Sequence, residues 1–461
     1  MMRTVRLGYR LWRIESLGVL LGSLAPLGCG SSAPATTSTT TTQAGAGNQA
    51  SSRTGGTSIG GTSIGGTTTN GSGPVAPFKK LSVGYSGACV IDAKDSVACW
   101  GANPYGETGE TAGFTSTLKL VAGMPPATQV VSASTHTCAL TAAGDVYCWG
   151  ANDFGQLGHA PGTGGDATCS GSGFPLACHP APVKVEGLPA ATAIATAATA
   201  SPARVCALVE GGRAYCWGYT PNLTARGAVA CGTSQSQYCL NVATEEAGVS
   251  GLTAIGVGPY HTCGNGPSGL VCWGDNACFE VAKDTCPGNK CTTPIARAEV
   301  GTVAAPPSLG VNTTCVLTES GEVACVGRND YAQLAHPPGT GGDATCNTGI
   351  ACNPSVTSNS ALTGALALSP SSEWTWCAIA KDRSVLCWGS NDTDNLGHAA
   401  GTQGDTTCGF IACNPTPTAV PGVVGAKAVA AGHWTSCALD QEGALWCWGA
   451  TPGKAPSRIA P

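Results

Sequence analysis

The sequence is poor in charge and in aromatic side chains. Charged residues make up 11% of the 461 residues and aromatic residues 6%, and this charged share is less than half of what globular domains usually carry. Lys and Arg form no cluster, so the sequence offers no concentrated positive charge for a phosphate backbone. We therefore expect no nucleic-acid partner.

Signatures of catalysis are also missing. The sequence contains no Gly-x-Ser-x-Gly elbow, no His-Glu-x-x-His motif and no phosphate-binding loop. We predict no catalytic residue and no cofactor, and the sequence favours a protein that is not an enzyme.

Glycine, proline and cysteine are abundant instead. The chain has 66 Gly, 30 Pro and 26 Cys. Gly and Pro weaken helix interiors and supply turn geometry, so this composition predicts an all-β fold of short strands and turns. So many cysteines require either metal or disulfides, and their spacing must decide between the two.

The start of the chain is typical of export. Four arginines precede the short apolar stretch "LGVLLGSLAPLGC", which ends at Cys29 and is too short to span a bilayer. Gly28-Cys29, followed by a Ser/Thr-rich tract, resembles the processing site of bacterial lipoproteins, although Pro26 stands where that family usually has Leu. We predict a signal peptide at residues 1–28 and lipid attachment at Cys29. Removal of residues 1–28 would leave a net charge of −8.

Residues 29–76 contain almost nothing that could be buried and are rich in Ser, Thr and Gly, which predicts a disordered linker. We expect an exported protein: a cell-envelope lipoprotein at the outer membrane or cell surface, whose only membrane contact is the anchor, or a secreted protein if Cys29 is not lipidated.

One pattern recurs seven times in residues 77–461. Two cysteines flank a turn and Trp-Gly follows the second, as in "CALTAAGDVYCWG" from Cys138 to Gly150. Successive copies begin 49 to 68 residues apart, and repeats of this length in a turn-rich chain predict a propeller or a solenoid.

Each copy predicts a β-hairpin closed by a disulfide. Pairing Cys138 with Cys148 leaves a three-residue loop whose third position favours a left-handed residue. Glycine occupies this position at 144, 212, 321 and 443. Asp95 and Arg383 occupy it in two other repeats, although they adopt the left-handed conformation less readily than glycine. The two cysteines then lie directly opposite each other, and each bridge would contribute roughly 2.5–3 kcal/mol. The seven predicted disulfides are Cys89–Cys99, Cys138–Cys148, Cys206–Cys216, Cys263–Cys272, Cys315–Cys325, Cys377–Cys387 and Cys437–Cys447.

Five further pairs lie after the Trp-Gly strands. We expect these to close decorated loops, and the five predicted disulfides are Cys169–Cys178, Cys231–Cys239, Cys286–Cys291, Cys346–Cys352 and Cys408–Cys413. Alignment of "KDTCPGNKCTTP" with "GDATCNTGIACNP" leaves Cys278 as the cysteine that keeps its thiol.

Three of these insertions repeat a histidine and an aspartate: His159/Asp166, His336/Asp343 and His398/Asp405. Such a pair can ligate a transition metal, but an Asp in a Gly-rich turn commonly accepts backbone N–H bonds. We favour the structural role and predict no metal, and the cysteine spacings also lack the two close pairs of structural zinc sites.

The segment from His136 to Gly158, "HTCALTAAGDVYCWGANDFGQLG", resembles the regulator of chromosome condensation repeat. Seven copies imply a seven-bladed β-propeller. Six of the seven copies contain the family tryptophan, at positions 100, 149, 217, 273, 388 and 448. In the fifth copy Val326 replaces it. The "NDFGQLGH" portion weakens at 329–336 and 391–398 and is absent from the third and fourth repeats. His136, His261 and His433 correspond to the family histidine, for which we expect a structural hydrogen bond between strands.

Nucleotide exchange and chromatin binding, known for nuclear members of that family, do not fit an exported acidic chain. We expect a cell-surface or secreted binding module that contacts a protein or a glycan through its loop-bearing rim. Two alternatives are a secreted enzyme inhibitor and a propeller lyase or hydrolase with a site at the channel mouth.

Overall fold

The computed structural model of the chain describes most residues from 74 to 460. These are residues 74, 76–85, 87–111, 113–171, 175–198, 204–220, 227–231, 237–267, 269–282, 286, 289–346, 349–370, 373–450 and 453–460. They all belong to one compact unit that begins at Thr69. The predicted signal peptide, Cys29 and almost all of the predicted linker lie outside the described residues.

The described part of the chain folds as seven successive antiparallel sheets, which confirms the predicted seven-bladed β-propeller. Blade 1 contains β1 (Lys80–Val83), β2 (Gly87–Ile91), β3 (Val97–Asn103) and β4 (Gly113–Leu120). Blade 2 contains β5 (Ala127–Ser132), β6 (His136–Thr141), β7 (Val146–Ala151), β8 (Ala167–Cys169) and β9 (Leu176–Lys184). Blade 3 contains β10 (Ala191–Thr196), β11 (Arg204–Val209), β12 (Arg213–Tyr219), β13 (Val229–Cys231) and β14 (Gln237–Glu245).

Blade 4 contains β15 (Ala254–Val257), β16 (His261–Gly266), β17 (Gly269–Asp275) and β18 (Lys290–Arg297). Blade 5 contains β19 (Ser308–Gly310), β20 (Thr313–Leu317), β21 (Val323–Arg328), β22 (Ala344–Thr345) and β23 (Ala351–Ser358). Blade 6 contains β24 (Ala367–Leu368), β25 (Thr375–Ile379), β26 (Val385–Ser390), β27 (Thr406–Cys408) and β28 (Ile411–Ala419). Blade 7 contains β29 (Ala426–Ala431), β30 (Thr435–Asp440), β31 (Leu445–Gly449) and β32 (Gly453–Ile459).

Helical structure in the described residues consists of short 3-10 turns, among them Glu210–Gly212, Ala298–Val300 and Ser360–Leu362. Within this part of the chain, no helix has the length and apolar character needed to cross a membrane.

Neighbouring blades share their cores. Seven clusters of buried apolar side chains each combine strands of two adjacent blades. One of them closes the ring, with Val90 and Trp100 of blade 1 lying against Leu439 and Leu445 of blade 7. Because a repeat of this kind buries its apolar face only against its neighbours, the stability of each blade depends on the blades beside it.

The hairpin between the second and third strands has the predicted register in every blade. Each first cysteine lies opposite its second cysteine, and the structure joins all seven pairs as disulfides with Cα atoms 4.1 Å apart. The left-handed turn position is confirmed, with φ of 84° at Gly144, 64° at Asp95 and 66° at Arg383.

These turns also connect one blade to the next. The carbonyl of Gly144 accepts a hydrogen bond from the N–H of Ala191 in blade 3 at 2.9 Å, and the carbonyl of Gly443 accepts one from Phe78 at the same distance. A Cβ atom on Gly443 would lie 2.5 Å from Cβ of Pro77. Glycine is therefore required there by close approach as well as by its backbone conformation.

The insertions differ from the decorated loops expected from the sequence. In blades 2, 3, 5 and 6 they add a fifth strand at the outer edge, because β8, β13, β22 and β27 pair with β9, β14, β23 and β28. The structure contains the same five insertion disulfides, with Cα atoms 5.2–6.0 Å apart. A cysteine pair and a Gly-rich turn therefore form a short hairpin that extends the blade.

Candidate interaction face

Two kinds of connection leave the same end of the propeller. The strands of a blade alternate in direction, so the connection between the first and second strands and the connection after the third strand lie at one end. A hydrogen bond joins the two kinds, from Oγ1 of Thr393 to the carbonyl of His433 at 2.7 Å. We call this end the insertion face and the opposite end, with the disulfide-hairpin turns, the hairpin face. The described residues of these connections are 84–85, 104–111, 133–135, 152–166, 197–198, 220, 227–228, 258–260, 276–282, 286, 289, 311–312, 329–343, 369–370, 373–374, 391–405, 432–434 and 450. The turn at the tip of the blade 6 insertion, residues 409–410, lies at the same end and belongs to the insertion face.

Four of the six repeat tryptophans donate a hydrogen bond to the insertion-face segment of the preceding blade, whereas the indole N–H groups of Trp100 and Trp273 are buried without a partner among the described residues. The indole N–H of Trp149 donates to the carbonyl of Glu107 at 3.0 Å, and the same bond joins Trp217 to Gln156, Trp388 to Gln333 and Trp448 to Asn395. In blade 5, where Val326 replaces the tryptophan, Oγ1 of Thr314 donates to the equivalent carbonyl of Glu280 at 2.9 Å. The segment is therefore a structural connection between blades.

An amide or carboxyl side chain completes this segment in four blades. One side-chain oxygen accepts the backbone N–H two residues earlier over 2.7–2.8 Å in Gln156, Gln333, Glu107 and Glu280. The fourth repeat thus keeps the turn that the sequence analysis considered absent there, because Glu280 replaces the glutamine. Burial raises the pKa of Glu107 to about 8 and that of Glu280 to about 7.

Three insertions contain the same His–Asp contact. Nε2 of His159 lies 2.9 Å from Oδ1 of Asp166, and the same distance recurs in the other two pairs. Oδ2 of Asp166 accepts the N–H of Gly162 at 3.0 Å, which confirms the expected role of the aspartate in the turn. Burial alone would raise the pKa of Asp343, but hydrogen bonds from His336 and Asn329 hold it below its ordinary value. No group of three potential metal ligands occurs among the residues that the structure describes.

Two of the three repeat histidines bridge blades as expected. Nε2 of His136 lies 3.2 Å from Oγ1 of Thr196 in blade 3, and Nε2 of His261 lies 2.9 Å from Oγ1 of Thr314 in blade 5. Complete burial lowers the pKa of both histidines to about 3. His433 differs, because it lies two residues earlier in its repeat and contacts Glu373 at 3.5 Å.

Four of the five insertion disulfides lie against a side chain of the preceding blade. The pairs in contact are Tyr105 with Cys169–Cys178, Phe154 with Cys231–Cys239, Cys278 with Cys346–Cys352 and Tyr331 with Cys408–Cys413. Cys278 is fully buried and lies in none of the twelve disulfides. It occupies the position that an aromatic side chain has in the three other blades.

Aromatic side chains from four blades meet at the channel mouth on the insertion face. We call Tyr85, Tyr331, Trp374, His433 and Trp434 the mouth cluster. Its ring centroids form a continuous series, with Tyr331–Trp374 at 5.0 Å, Trp374–His433 at 5.5 Å, His433–Tyr85 at 4.6 Å and Tyr85–Trp434 at 5.6 Å. Trp434 is 43% exposed. A large apolar ring is thus accessible at the centre of the face.

Acidic groups surround this cluster. Burial, together with the negative charges of Glu373 and Asp392, raises the pKa of Tyr85 to about 12. Burial, Glu373 and Asp275 likewise raise the pKa of Tyr260. The mouth therefore combines neutral phenol rings with nearby carboxylates.

The mouth cluster was not predicted from the sequence. A signal was present for three of its members, because Tyr85, Trp374 and Trp434 each lie three or four residues before the first hairpin cysteine of their repeat. Residues at this offset fall in the connection between the first and second strands, and these connections converge on the channel.

Comparison with known proteins agrees with this architecture. Two family models, each described as the regulator of chromosome condensation (RCC1) repeat, match the chain: one at residues 127–156, 308–333 and 426–450, the other at residues 143–201. The chain contains RCC1 repeats, and they lie in a seven-bladed β-propeller.

Solved structures similar to this chain have low sequence identity to it, so the similarity supports the fold and no more. Prp20p from Saccharomyces cerevisiae matches with a TM-score of 0.61 and 18% identity, over 79% of this RCC1-repeat chain and 86% of Prp20p. Human WBSCR16 matches with a TM-score of 0.58 and 16% identity, over 77% of this chain and 84% of that one. No curated protein matches the chain in sequence.

Proposed function

We propose that this RCC1-repeat propeller is an exported binding module that contacts a protein partner through its insertion face. The observation that carries the proposal is the mouth cluster, because exposed aromatic side chains near the centre of a face are typical anchors of protein interfaces. The insertion face also presents Phe410, which is fully exposed at the tip of the blade 6 insertion. A secreted enzyme inhibitor would be one form of such a module.

The fold supports a role in protein interaction. Prp20p binds Gsp1p and histones, and it has also been crystallised with Kap60. We transfer only the general role, since chromatin partners do not suit an acidic chain. A glycan partner is the competing form of the proposal, and it is tested below.

The cysteines support an extracytoplasmic location. Twelve disulfides in one chain indicate an oxidising environment. We further propose that residues 1–28 are removed, that a lipid on Cys29 anchors the chain in the cell envelope, and that residues 29–76 act as a flexible tether. A Cys29→Ser protein should then leave the membrane fraction after a salt wash, because loss of the acyl chains removes most of the apolar anchor. Its retention in the membrane would contradict the anchor.

The binding role is tested by comparing the two faces. The full chain is used to capture partners from envelope extracts, and each candidate is then purified and its affinity measured directly. A Trp434→Ala/Phe410→Ser protein should bind at least about 30-fold more weakly, the effect of losing a central aromatic anchor.

The matched control changes the hairpin face. Leu366 and Val424 lie in connections at that end and are 48% and 75% exposed. A Leu366→Ser/Val424→Ser protein also loses two exposed apolar side chains and should keep its affinity. Equal losses in the two proteins, or a loss only in the control, would reject the insertion face as the binding surface.

A further inference from the structure

The mouth cluster presents its rings unevenly. The rings of Tyr85 and His433 are stacked, with 4° between their planes, so the face of Tyr85 toward His433 is covered. Trp434 is tilted by 42° against Tyr85 and remains 43% exposed. An incoming group therefore meets the indole of Trp434 first, with the phenol of Tyr85 beside it.

The polypeptide holds these rings in place. The N–H of Trp434 donates to the carbonyl of Tyr85 at 3.0 Å, which joins blade 7 to blade 1. The carbonyl of His433 accepts from Nδ2 of Asn395 at 3.1 Å and from Thr393 in blade 6. The surface exists before any ligand arrives, so binding does not have to order it.

Carboxylates determine the charge of this surface. Oε2 of Glu373 lies 3.5 Å from Nδ1 of His433, and both Glu373 and Asp392 act on the phenol of Tyr85. Arg328, a basic residue beside the cluster, lies over the ring of Tyr331 at 5.4 Å from the ring centroid and contacts Asp330 through two hydrogen bonds of 2.5 and 2.6 Å. The charge at the mouth is therefore negative on balance.

Rings and carboxylates together lead us to infer that the mouth cluster binds a lysine or arginine side chain of a protein partner. The inference rests on the binding role proposed for the insertion face and specifies its chemistry. A cation is attracted to the face of an aromatic ring, most strongly to that of tryptophan, and nearby carboxylates add to the attraction. Burial and the neighbouring carboxylates raise the pKa of Tyr85 to about 12, so the phenol is neutral at physiological pH and its attraction for a cation comes from the aromatic ring.

Other ligands gain less from this arrangement. A phosphate or carboxylate would be repelled by Glu373 and Asp392. A neutral sugar could stack on Trp434, but the carboxylates would give it no net electrostatic attraction. The charge thus selects a basic side chain of a protein over a glycan.

The test uses short peptides as defined probes and the full chain as receptor. Four dye-labelled peptides differ at one residue, which is lysine, trimethyllysine, acetyllysine or norleucine, and fluorescence anisotropy reports binding. The lysine and trimethyllysine peptides should bind at least about 10-fold more tightly than the two neutral peptides, and added salt should reduce the difference because it screens exposed charges. Equal binding of all four peptides would overturn the inference in favour of an apolar contact. Displacement of the lysine peptide by a neutral oligosaccharide such as maltotriose would overturn it in favour of a glycan site.

Variants then locate the site. Trp434→Ala should weaken the lysine peptide by about 3- to 30-fold, the usual range for a cation on an aromatic ring, and Trp434→Phe should restore part of the loss. Asp392→Asn removes an exposed charge and should weaken only the charged peptides. Phe114→Ala is the matched control, since Phe114 is 59% exposed in the outer strand of blade 1. A loss in Phe114→Ala equal to that in Trp434→Ala would show that the peptides bind elsewhere.

The outcome also separates this inference from the proposed function. If partner binding depends on the insertion face but the four peptides do not differ, the face is correct and its cation chemistry is wrong. If the lysine peptide binds as expected while the insertion-face variant keeps its full affinity for the partner, the site exists and the proposed interface is wrong.

Discussion

Glu107 occupies the place that Gln156 and Gln333 have in blades 2 and 5, but it brings a carboxyl group into an apolar interface. Its side chain accepts the N–H of Tyr105 through Oε2 at 2.8 Å, whereas Oε1 is buried with no hydrogen-bond partner among the described residues. The substitution Glu107→Gln restores the side chain that other blades use. We predict that its effect on stability changes sign with pH.

The magnitude follows from the pKa of this carboxyl. Burial raises it from 4.5 to about 8, so the folded chain holds a proton that the unfolded chain releases. Below pH 4.5 the carboxyl is protonated in both the folded and the unfolded chain, so its raised pKa does not lower the free energy of unfolding. As pH rises from about 4.5 to about 8, the unfolded chain loses this proton first and the free energy of unfolding falls. Above pH 8 the loss reaches about 5 kcal/mol, since one pKa unit corresponds to about 1.4 kcal/mol.

A glutamine at position 107 cannot ionise and so avoids this loss of stability, but its side-chain amide N–H needs a hydrogen-bond acceptor. Nε2 of Gln156 donates to Asp153 at 3.0 Å, whereas Pro104 stands at the equivalent position of blade 1 and offers no side-chain acceptor. A buried N–H without an acceptor costs about 1–3 kcal/mol. Glu107→Gln should therefore stabilise the fold by about 2–4 kcal/mol at pH 9 and be neutral or destabilising by up to about 2 kcal/mol at pH 5.

Denaturant unfolding with intact disulfides, measured at pH 5, 7 and 9, gives the required differences. The mirror substitution Gln156→Glu is the control: it places a carboxyl beside Asp153 and should destabilise the fold increasingly as pH rises. A Pro104→Asp/Glu107→Gln protein should lose the cost at pH 5. If the difference between Glu107→Gln and the wild type does not vary with pH, Glu107 does not carry the predicted proton and the reasoning is refuted.

Three further predictions concern the repeats themselves. Non-reducing peptide mapping should recover the seven hairpin disulfides within repeats, and mainly inter-repeat links would contradict the hairpin register. Alkylation should modify Cys278 alone and only after unfolding, because this side chain is fully buried; labelling of Cys286 or Cys291 would mean that the pairing in blade 4 is wrong. Trp388→Val copies the natural Val326 and should cost about 3–5 kcal/mol in thermal or denaturant unfolding, because it leaves a void and removes the bond to the carbonyl of Gln333; a cost below about 1 kcal/mol would show that this tryptophan is dispensable.

The hairpins could be predicted from the sequence because everything that determines them is local. Eleven residues contain both cysteines, the turn and the residue that takes a positive φ, so the register follows from spacing alone. The left-handed conformation was predicted correctly even for Asp95 and Arg383, which adopt it less readily than glycine.

The mouth cluster could not be predicted in the same way. Tyr85 and His433 are stacked although they lie at opposite ends of the repeat array, and only closure of the ring brings them together. Matching residue identities between repeats also missed the turn in the fourth repeat. There Glu280 replaces the motif glutamine and accepts the same backbone hydrogen bond. His433 was aligned with His136 by residue type, although its distance from the first cysteine differs by two positions.

The insertions illustrate why a Gly-rich stretch need not be a mobile loop. In "HAPGTGGDATC" the carboxylate of Asp166 accepts from Asn152 at 2.8 Å, contacts His159 and accepts the N–H of Gly162, so a single side chain fixes both ends of the turn. The disulfide that follows then lies against Tyr105 of the preceding blade. These contacts convert the insertion into a fifth strand attached to two blades. An insertion face built this way is ordered before it binds, and a partner that fits it loses little free energy to ordering the propeller.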